Sequence, residues 1–182
     1  MRFVYSSLVA LAALSAPLAA EDELPNRMRS AAAIQPHQAP GGATVWVDPT
    51  DWTWVRSDRE DTVVFVYKTG LAQARLVVSD QPAKPETMKE DLLARLTKLD
   101  PEPKLLFEEQ RRVNGVDYLC VQVEVQSQDK KRVVFYGLAH GDEKGSYEFF
   151  TIMGADALSV YYQDMTEMLD GLQIPGSTEA SQ

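Results

Sequence analysis

The sequence is poor in the residues that most often carry covalent chemistry or bind metals. Among 182 residues it has one cysteine, Cys120, and two histidines, His37 and His140. A single cysteine cannot form an internal disulfide bond, so a disulfide-stabilised fold is excluded. A catalytic zinc commonly has three protein ligands, and one histidine in a predicted linker and another beside a hairpin turn do not supply them. We therefore predict no metal and no cofactor.

Positive charge is also scarce, since 18 Lys and Arg residues stand against 27 Asp and Glu residues, for a net charge of −9. Binding to nucleic acid by counterion release requires a broad cationic surface, so we predict no nucleic-acid partner. The basic run Lys130-Lys131-Arg132 lies at a predicted turn. It is interpreted as a solvated hairpin tip, with contact to an acidic partner as the alternative.

Long apolar runs are absent after the N-terminal region. Met1 and Arg2 precede a stretch from Phe3 to Leu14 that is apolar except for two serines, and the segment Ser15-Ala16-Pro17-Leu18-Ala19-Ala20 follows. This pattern is typical of a secretory signal peptide, with cleavage predicted after Ala20. The run is shorter than the roughly 20 residues that a membrane-spanning helix needs, and no cysteine stands where a lipid would attach. We predict a periplasmic or secreted protein with no membrane span and no lipid anchor.

The sequence divides into four parts. Residues 1–20 are the predicted signal peptide, and residues 21–42 are interpreted as a flexible linker rich in Pro, Gly and Ala. Residues 43–174 are predicted to form a single α+β domain, and residues 175–182 a polar tail. The fold expected for the domain is an antiparallel sheet flanked by helices.

Branched and aromatic residues predict strands over 43–47 and 52–55, on either side of a turn, and over 62–69 and 74–79. A capping box formed by Thr87 and Glu90 predicts the start of a first helix, and the prolines after Asp100 require that it has ended. Asn114-Gly115 predicts a tight hairpin between strands 104–113 and 116–127. In the second of these strands, alternation from Leu119 to Gln126 predicts one buried face and one wetter face.

Two further strands, over 132–140 and 146–153, precede a second helix. This helix is predicted to run from Asp156, as its N-cap, to Asp170. Gly171 is expected in the left-handed conformation that often ends a helix. The order of elements is typical of an α+β domain.

Candidate catalytic groups have simpler structural interpretations. Cys120 lies in the middle of a predicted strand, where a cysteine usually packs as a small apolar residue. No Gly-x-Ser-x-Gly motif is present. The clustered carboxylates are interpreted as solvated turns and helix faces, with weak calcium binding at the Asp58 loop as a minor alternative; they are Asp48 and Asp51, Asp58 with Glu60 and Asp61, Glu108 with Glu109, and Asp164 with Glu167 and Asp170. A carboxylate-dependent hydrolase would need two of them in one cleft with divergent pKa values.

The aromatic set is the most informative group of candidate binding residues; it comprises Trp46, Trp52, Trp54, Tyr161 and Tyr162. Trp52 and Trp54 are two residues apart, so they share a face if the segment is extended. Such a pair either fills the core or forms a stacking surface for a sugar or a peptide. We favour core packing, because a domain of this size needs large buried side chains.

The second half of the domain resembles a known family. The resemblance rests on Val113-Asn114-Gly115-Val116-Asp117-Tyr118, on Gly145 to Thr151, on a last helix ending Met168 to Ile174, and on Pro49 to Trp52. In these features the chain resembles the PsbP-like and DcrB-like exported domains. The resemblance implies an α/β/α sandwich that serves as a non-enzymatic accessory or binding module. It carries over no catalytic residue, and the chain lacks the cysteine of lipid-anchored members.

These observations together predict an exported, non-catalytic accessory or binding domain. Its partner is expected to be a protein or a small ligand of the cell envelope, and the ligand-binding residues are unknown. The alternatives are a carboxylate-dependent hydrolase of the envelope and an envelope structural protein.

Overall fold

The computed structural model describes residues 24–177. Within that range the chain forms two α-helices, α1 (Pro85–Leu96) and α2 (Ala155–Asp170), a short 3-10 turn at Pro40–Gly42, and eleven strands. The strands are β1 (Asn26–Arg27), β2 (Gln35–Gln38), β3 (Thr44–Val47), β4 (Trp52–Val55), β5 (Thr62–Tyr67), β6 (Ala72–Ser79), β7 (Lys104–Val113), β8 (Val116–Gln126), β9 (Arg132–Gly141), β10 (Ser146–Gly154) and β11 (Leu172–Gln173). The predicted signal peptide, its cleavage site and the end of the tail lie outside these residues.

The strands form two sheets. The larger has eight strands in the order β1-β7-β8-β9-β10-β6-β5-β4, and the smaller has the order β11-β3-β2. All pairs are antiparallel except β1 with β7. The predicted hairpin at Asn114-Gly115 is confirmed, with φ of 48° and 81° at the two residues. The α+β class is likewise confirmed, whereas the small second sheet was not predicted.

The large sheet is covered on both faces. On one side, which we call the α1 face, Met88, Leu92 and Leu96 of α1 pack on residues of β8, β9 and β10. On the other side, the α2 face, helix α2 and the small sheet enclose the main core, which contains Phe65, Tyr67, Leu76, Tyr118, Tyr136, Phe149, Met165 and Leu169. The predicted sandwich of layers is therefore present, with the small sheet added beside α2.

The prediction of a wetter second face on β8 is wrong at Cys120 and holds at Gln122, Glu124 and Gln126. Tyr118 and Cys120 are fully buried in the main core, because α2 and the small sheet cover the face that was expected to meet solvent. Farther along the strand, Gln122 and Glu124 are half-buried. The sequence alternation therefore predicts the polarity of this face from Gln122 onward but not at Cys120.

The described part of the predicted linker is integrated into the domain. Asn26 and Arg27 pair with β7, and Gln35–Gln38 pair with β3. Ala33 is buried, and Arg27 forms an ion pair of 3.0 Å with Asp170 at the end of α2. The linker interpretation is therefore wrong for residues 24–42. Strands can be added through backbone hydrogen bonds, which a Pro- and Gly-rich composition does not reveal.

The Asn114 side chain joins this N-terminal segment to the C-terminal one. Its Oδ1 accepts a hydrogen bond of 3.1 Å from the amide of Arg29, and its Nδ2 donates to the carbonyl oxygens of Asp170 and Leu172, both at 2.8 Å. The side chain is fully buried. The turn residue therefore connects three separate parts of the chain.

The helix ends differ from their predictions. Helix α1 begins at Pro85 after Lys84 and has no side-chain cap, so the Thr87–Glu90 capping box is not formed. Proline suits this first position, because its missing amide hydrogen would have no helical partner there. Helix α2 begins at Ala155 after Gly154, and Asp156 lies in its first turn.

Gly171, after α2, has the right-handed φ of −74° and not the expected left-handed conformation. Glycine is required here because the backbone at residue 171 closely approaches the backbone of β3. A Cβ atom at this position would lie 2.1 Å from the carbonyl oxygen of Trp46 in β3. The glycine therefore lets the end of α2 contact the backbone of the small sheet.

Candidate functional site

The α1 face carries a cleft of about 1180 Å³ beside helix α1. Its floor is the part of the large sheet that α1 leaves open, with Val77 and Ser79 of β6 next to Ser146 and Glu148 of β10. One wall is α1, and the remaining boundary consists of loops at 59–61, 80–84 and 141–143. We call this region the α1 cleft.

Two glycines allow the loops at the end of the cleft to approach closely. A Cβ atom on Gly141 would lie 2.4 Å from the carbonyl oxygen of Ala83, and one on Gly145 would lie 2.4 Å from that of Ser79. Real Cβ atoms do not come this close to backbone oxygens. The turn at 141–145, which the sequence marks by its two glycines, is therefore held against the loop that leads into α1.

Ion pairs fix both sides of the cleft. Arg95 of α1 pairs with Glu148 of β10, and Arg59 forms two hydrogen bonds, of 2.9 and 2.5 Å, with Asp61. The Asp61 carbonyl oxygen accepts a 2.9 Å bond from the amide of Val78, which ties this loop to β6. Hydrogen bonding from Arg59 lowers the pKa of Asp61 well below its usual range.

The cleft is acidic overall. Six carboxylates line it, against three cationic groups, and two of those cations are already paired with cleft carboxylates. The carboxylates are Asp61, Asp80, Asp91, Asp142, Glu143 and Glu148, and the cations are Arg59, Lys84 and Arg95. This arrangement favours ligands that carry positive charge.

The hydrolase alternative would need a cleft carboxyl whose pKa is raised, so that it can donate a proton. Asp142 instead accepts hydrogen bonds from the backbone amides of Lys144 and Gly145, which lower its pKa. The pKa of Asp61 is lowered as well. Burial does raise the pKa of Asp170, but this residue pairs with Arg27 and lies outside the cleft lining. Asp61 and Asp142 are therefore poorly suited to act as the proton donor of a hydrolase.

The five aromatic residues singled out in the sequence do not form one surface. Trp52 is 5% exposed and contacts Tyr67, which in turn contacts Tyr161, with ring centroids 5.1 and 5.4 Å apart. Trp54 lies on the same face of the sheet but is 49% exposed, beside the ring of His37. Core packing is thus observed for Trp52 and not for Trp54.

The other two aromatic residues are placed separately. The indole nitrogen of Trp46 donates a 2.9 Å bond to Gln173, and the guanidinium of Arg29 lies 4.0 Å from its ring centre. Tyr162 is stacked on Tyr136, with ring centroids 5.3 Å apart. A joint stacking platform for a sugar or a peptide is therefore not present among these residues.

The histidines and the cysteine have structural surroundings. His37 packs on Phe65, and His140 donates from Nδ1 to the carbonyl oxygen of Asp117 at 2.9 Å. Burial raises the pKa of the Cys120 thiol to about 12, so the reactive thiolate is not formed near neutral pH. Between residues 24 and 177, no group of three His, Cys, Asp or Glu side chains is placed to hold a metal ion.

The remaining charged candidates are distributed over the surface. Asp48 accepts hydrogen bonds from Thr50 within its own turn, Asp51 pairs with Lys68, and Glu108 pairs with Lys89. In the basic run, Lys131 pairs with Asp129, and Arg132 pairs with Glu124 and Asp156. The interpretation as solvated turns and helix faces accounts for these contacts.

Comparisons with known proteins bear on the fold. No protein-family model and no curated protein matches the sequence. The structure is similar to that of cyanobacterial PsbP (CyanoP) from Synechocystis sp. PCC 6803, with a TM-score of 0.59 and 12% identity over 80% of this chain and 94% of that one. It is also similar to the Ran-binding protein Mog1p of Saccharomyces cerevisiae, with a TM-score of 0.53 and 14% identity over 77% and 94% of the two chains.

The chain therefore has a PsbP-like fold, which confirms the expectation drawn from the residues around Asn114 and the last helix. Sequence identities of 12% and 14% establish the fold alone, so the function is inferred from the residues of the site. In the described part of the chain, neither helix is long and apolar enough to cross a membrane.

Proposed function

We propose that this protein is an exported, non-catalytic binding domain. Its α1 cleft binds a segment of another envelope protein, and positively charged side chains of that segment contact the cleft carboxylates. Export rests on the signal-like pattern of residues 1–20. The observation that supports binding at the cleft is its combination of an open sheet floor with six carboxylates against three cations. The PsbP-like fold is compatible with such a role, since Mog1p, which shares it, is described as Ran-binding.

The cleft suits an extended protein segment better than a small compact ligand. Its volume of about 1180 Å³ is slightly above the range of roughly 300–1,000 Å³ for small-molecule pockets. Its floor is formed by strands, and its acidic groups are spread over a helix, a strand and three loops. If a bound chain carries two or three Lys or Arg side chains, each of them can contact a separate carboxylate of the cleft.

The test uses two synthetic ten-residue peptides, one rich in lysine and one rich in glutamate, titrated into the chain that begins at Glu21. We expect the lysine-rich peptide to shift the amide NMR signals of Ser79, Asp91 and Gly141, and the shifts to weaken as salt is added. The glutamate-rich peptide should leave these signals in place.

Two matched double variants test whether the peptide binds at the cleft or to the acidic surface in general. Asp91→Asn with Glu143→Gln removes two cleft charges, and Glu90→Gln with Glu102→Gln removes two exposed charges elsewhere. The first pair should weaken binding of the lysine-rich peptide several-fold more than the second. Equal weakening, or signal shifts spread over the whole molecule, would show that the cleft is not the site.

A further inference from the structure

The outer edge of β7 has no strand partner within residues 24–177 over most of its length. Strand β1 pairs only with Arg112 and Val113, which leaves the outer edge of residues 104–111 without a neighbouring strand. Leu105, Leu106 and Phe107 on this edge are 40%, 49% and 36% exposed. An open strand edge with exposed apolar side chains is a template for pairing with another strand.

The chain's own N-terminus is a poor occupant of this edge. If the parallel pairing of Asn26 with Arg112 continued backward, residues 21–23 would lie beside residues 107–109. That register would place Glu21, Asp22 and Glu23 against a segment that contains Glu108 and Glu109. Like charges directly opposite each other destabilise a strand pair.

A β-bulge at Leu106 changes which side chains of β7 lie on each face of the sheet. Lys104 lies opposite Glu124 and Glu109 lies opposite Cys120, so both residues lie on the α2 face of the sheet. In a regular strand, residues five positions apart lie on opposite faces. The extra residue at the bulge brings the Lys104 and Glu109 side chains to the same side.

We propose that two copies of this chain pair through their β7 edges, antiparallel, about a two-fold axis between Leu106 and Phe107. Lys104 of each copy then lies opposite Glu109 of the other on the α2 face, and Leu106 lies opposite Phe107. The bulge is what lets both members of each charged pair share a face. A register centred on Glu109 would instead place the two Glu109 side chains opposite each other.

The charged groups are available for this contact. Arg111 donates two hydrogen bonds to Oε1 of Glu109, and no described group donates to Oε2. Lys104 forms no ion pair within the described residues. Glu108, which would lie opposite Leu105, is already paired with Lys89 of its own chain. The edge therefore presents complementary charge at Lys104 and Glu109, with the apolar side chains of Leu105, Leu106 and Phe107 between them.

An interface of about six residues from each strand is smaller than a standard stable one, so we expect a weak dimer that forms at micromolar concentrations or above. Sedimentation equilibrium of the chain from Glu21, over a range of concentrations, measures its association constant. Lys104→Glu should weaken association about tenfold, because it replaces two attractive cross-strand pairs by repulsive ones. The control Lys98→Glu makes the same change of charge away from β7 and should leave association unchanged.

The register is tested by mixing a Leu105→Cys chain with a Glu108→Cys chain under oxidising conditions. These positions are directly opposite in the proposed dimer, within disulfide reach, and Cys120 is buried and does not compete. The mixed disulfide should form faster than either symmetric one. A faster symmetric disulfide would overturn the register.

Two further results would overturn the proposal itself. The first is a chain that stays monomeric over the whole concentration range. The second is a chain that is monomeric when it begins at Glu21 and dimerises only when it begins at Leu24, which would assign the β7 edge to the chain's own N-terminal residues. Equal weakening by Lys104→Glu and Lys98→Glu would likewise exclude the proposed charge pairing.

Discussion

Replacing Asn114 by alanine should destabilise the fold far more than a substitution at an ordinary hairpin turn. The change removes one hydrogen bond from the amide of Arg29 and leaves the carbonyl oxygens of Asp170 and Leu172 without their donor. At about 1 kcal/mol for each buried bond, the loss is about 3 kcal/mol. Alanine at a φ of 48° adds about 1 kcal/mol, so we expect a total of about 4 kcal/mol.

Two further variants divide this loss into its parts. Asn114→Gly removes the same hydrogen bonds without the cost of a left-handed φ, so it should lose about 3 kcal/mol. Lys130 already places a Cβ-bearing residue at a similar φ of 63° on an exposed hairpin. Lys130→Gly removes that backbone cost alone, so it should stabilise the fold by about 1 kcal/mol.

Urea unfolding at equilibrium measures the three free energies, and amide exchange of residues 26–29 reports whether the N-terminal strand has been released. A free energy of unfolding for Asn114→Gly within about 0.5 kcal/mol of the parent would refute the reasoning. Such a result would mean that the buried amide side chain does not hold the chain ends.

The other predictions concern single positions. Gly171→Ala should lower the free energy of unfolding by about 3 kcal/mol or more, because the new Cβ atom meets the Trp46 carbonyl oxygen at 2.1 Å; an unchanged melting temperature would contradict this close approach. Cys120 should resist a thiol reagent at pH 8 in the folded protein and react once urea is added; rapid labelling without urea would show that the thiol is not buried as described. Hydrogen bonds from the amides of Gln126 and Glu102 lower the pKa of Asp100 below its ordinary 3.8, so its stabilising effect is present above that pH and lost as the pH falls. Asp100→Asn should therefore flatten the acid side of the stability profile, and a profile identical to the parent's would argue against this role.

The sequence predicted the features that depend on near neighbours along the chain. The Asn114-Gly115 turn was identifiable because few residues adopt two successive positive φ values. The end of α1 was identifiable from Pro101 and Pro103, which cannot continue a helix. The burial of Trp52 followed from the need of a small domain for large core side chains.

The features that were missed depend on partners far away in sequence. Strand β2 forms from Gln35-Pro36-His37-Gln38 because β3 offers it an edge, and no periodicity in those four residues signals it. Gly171 was assigned the wrong conformation because the reason for a glycine lies in the backbone of Trp46. The α1 cleft combines one helix, two strands and three loops, so its charge could be counted in the sequence but not located.

The position of β11 has a consequence for when the chain can fold. This strand, near the C-terminus, pairs with β3, and Leu172 and Ile174 complete the main core. During synthesis, the early strands therefore lack part of their packing until residues 172–174 have left the ribosome. A nascent chain stalled at residue 165 should for this reason remain sensitive to protease.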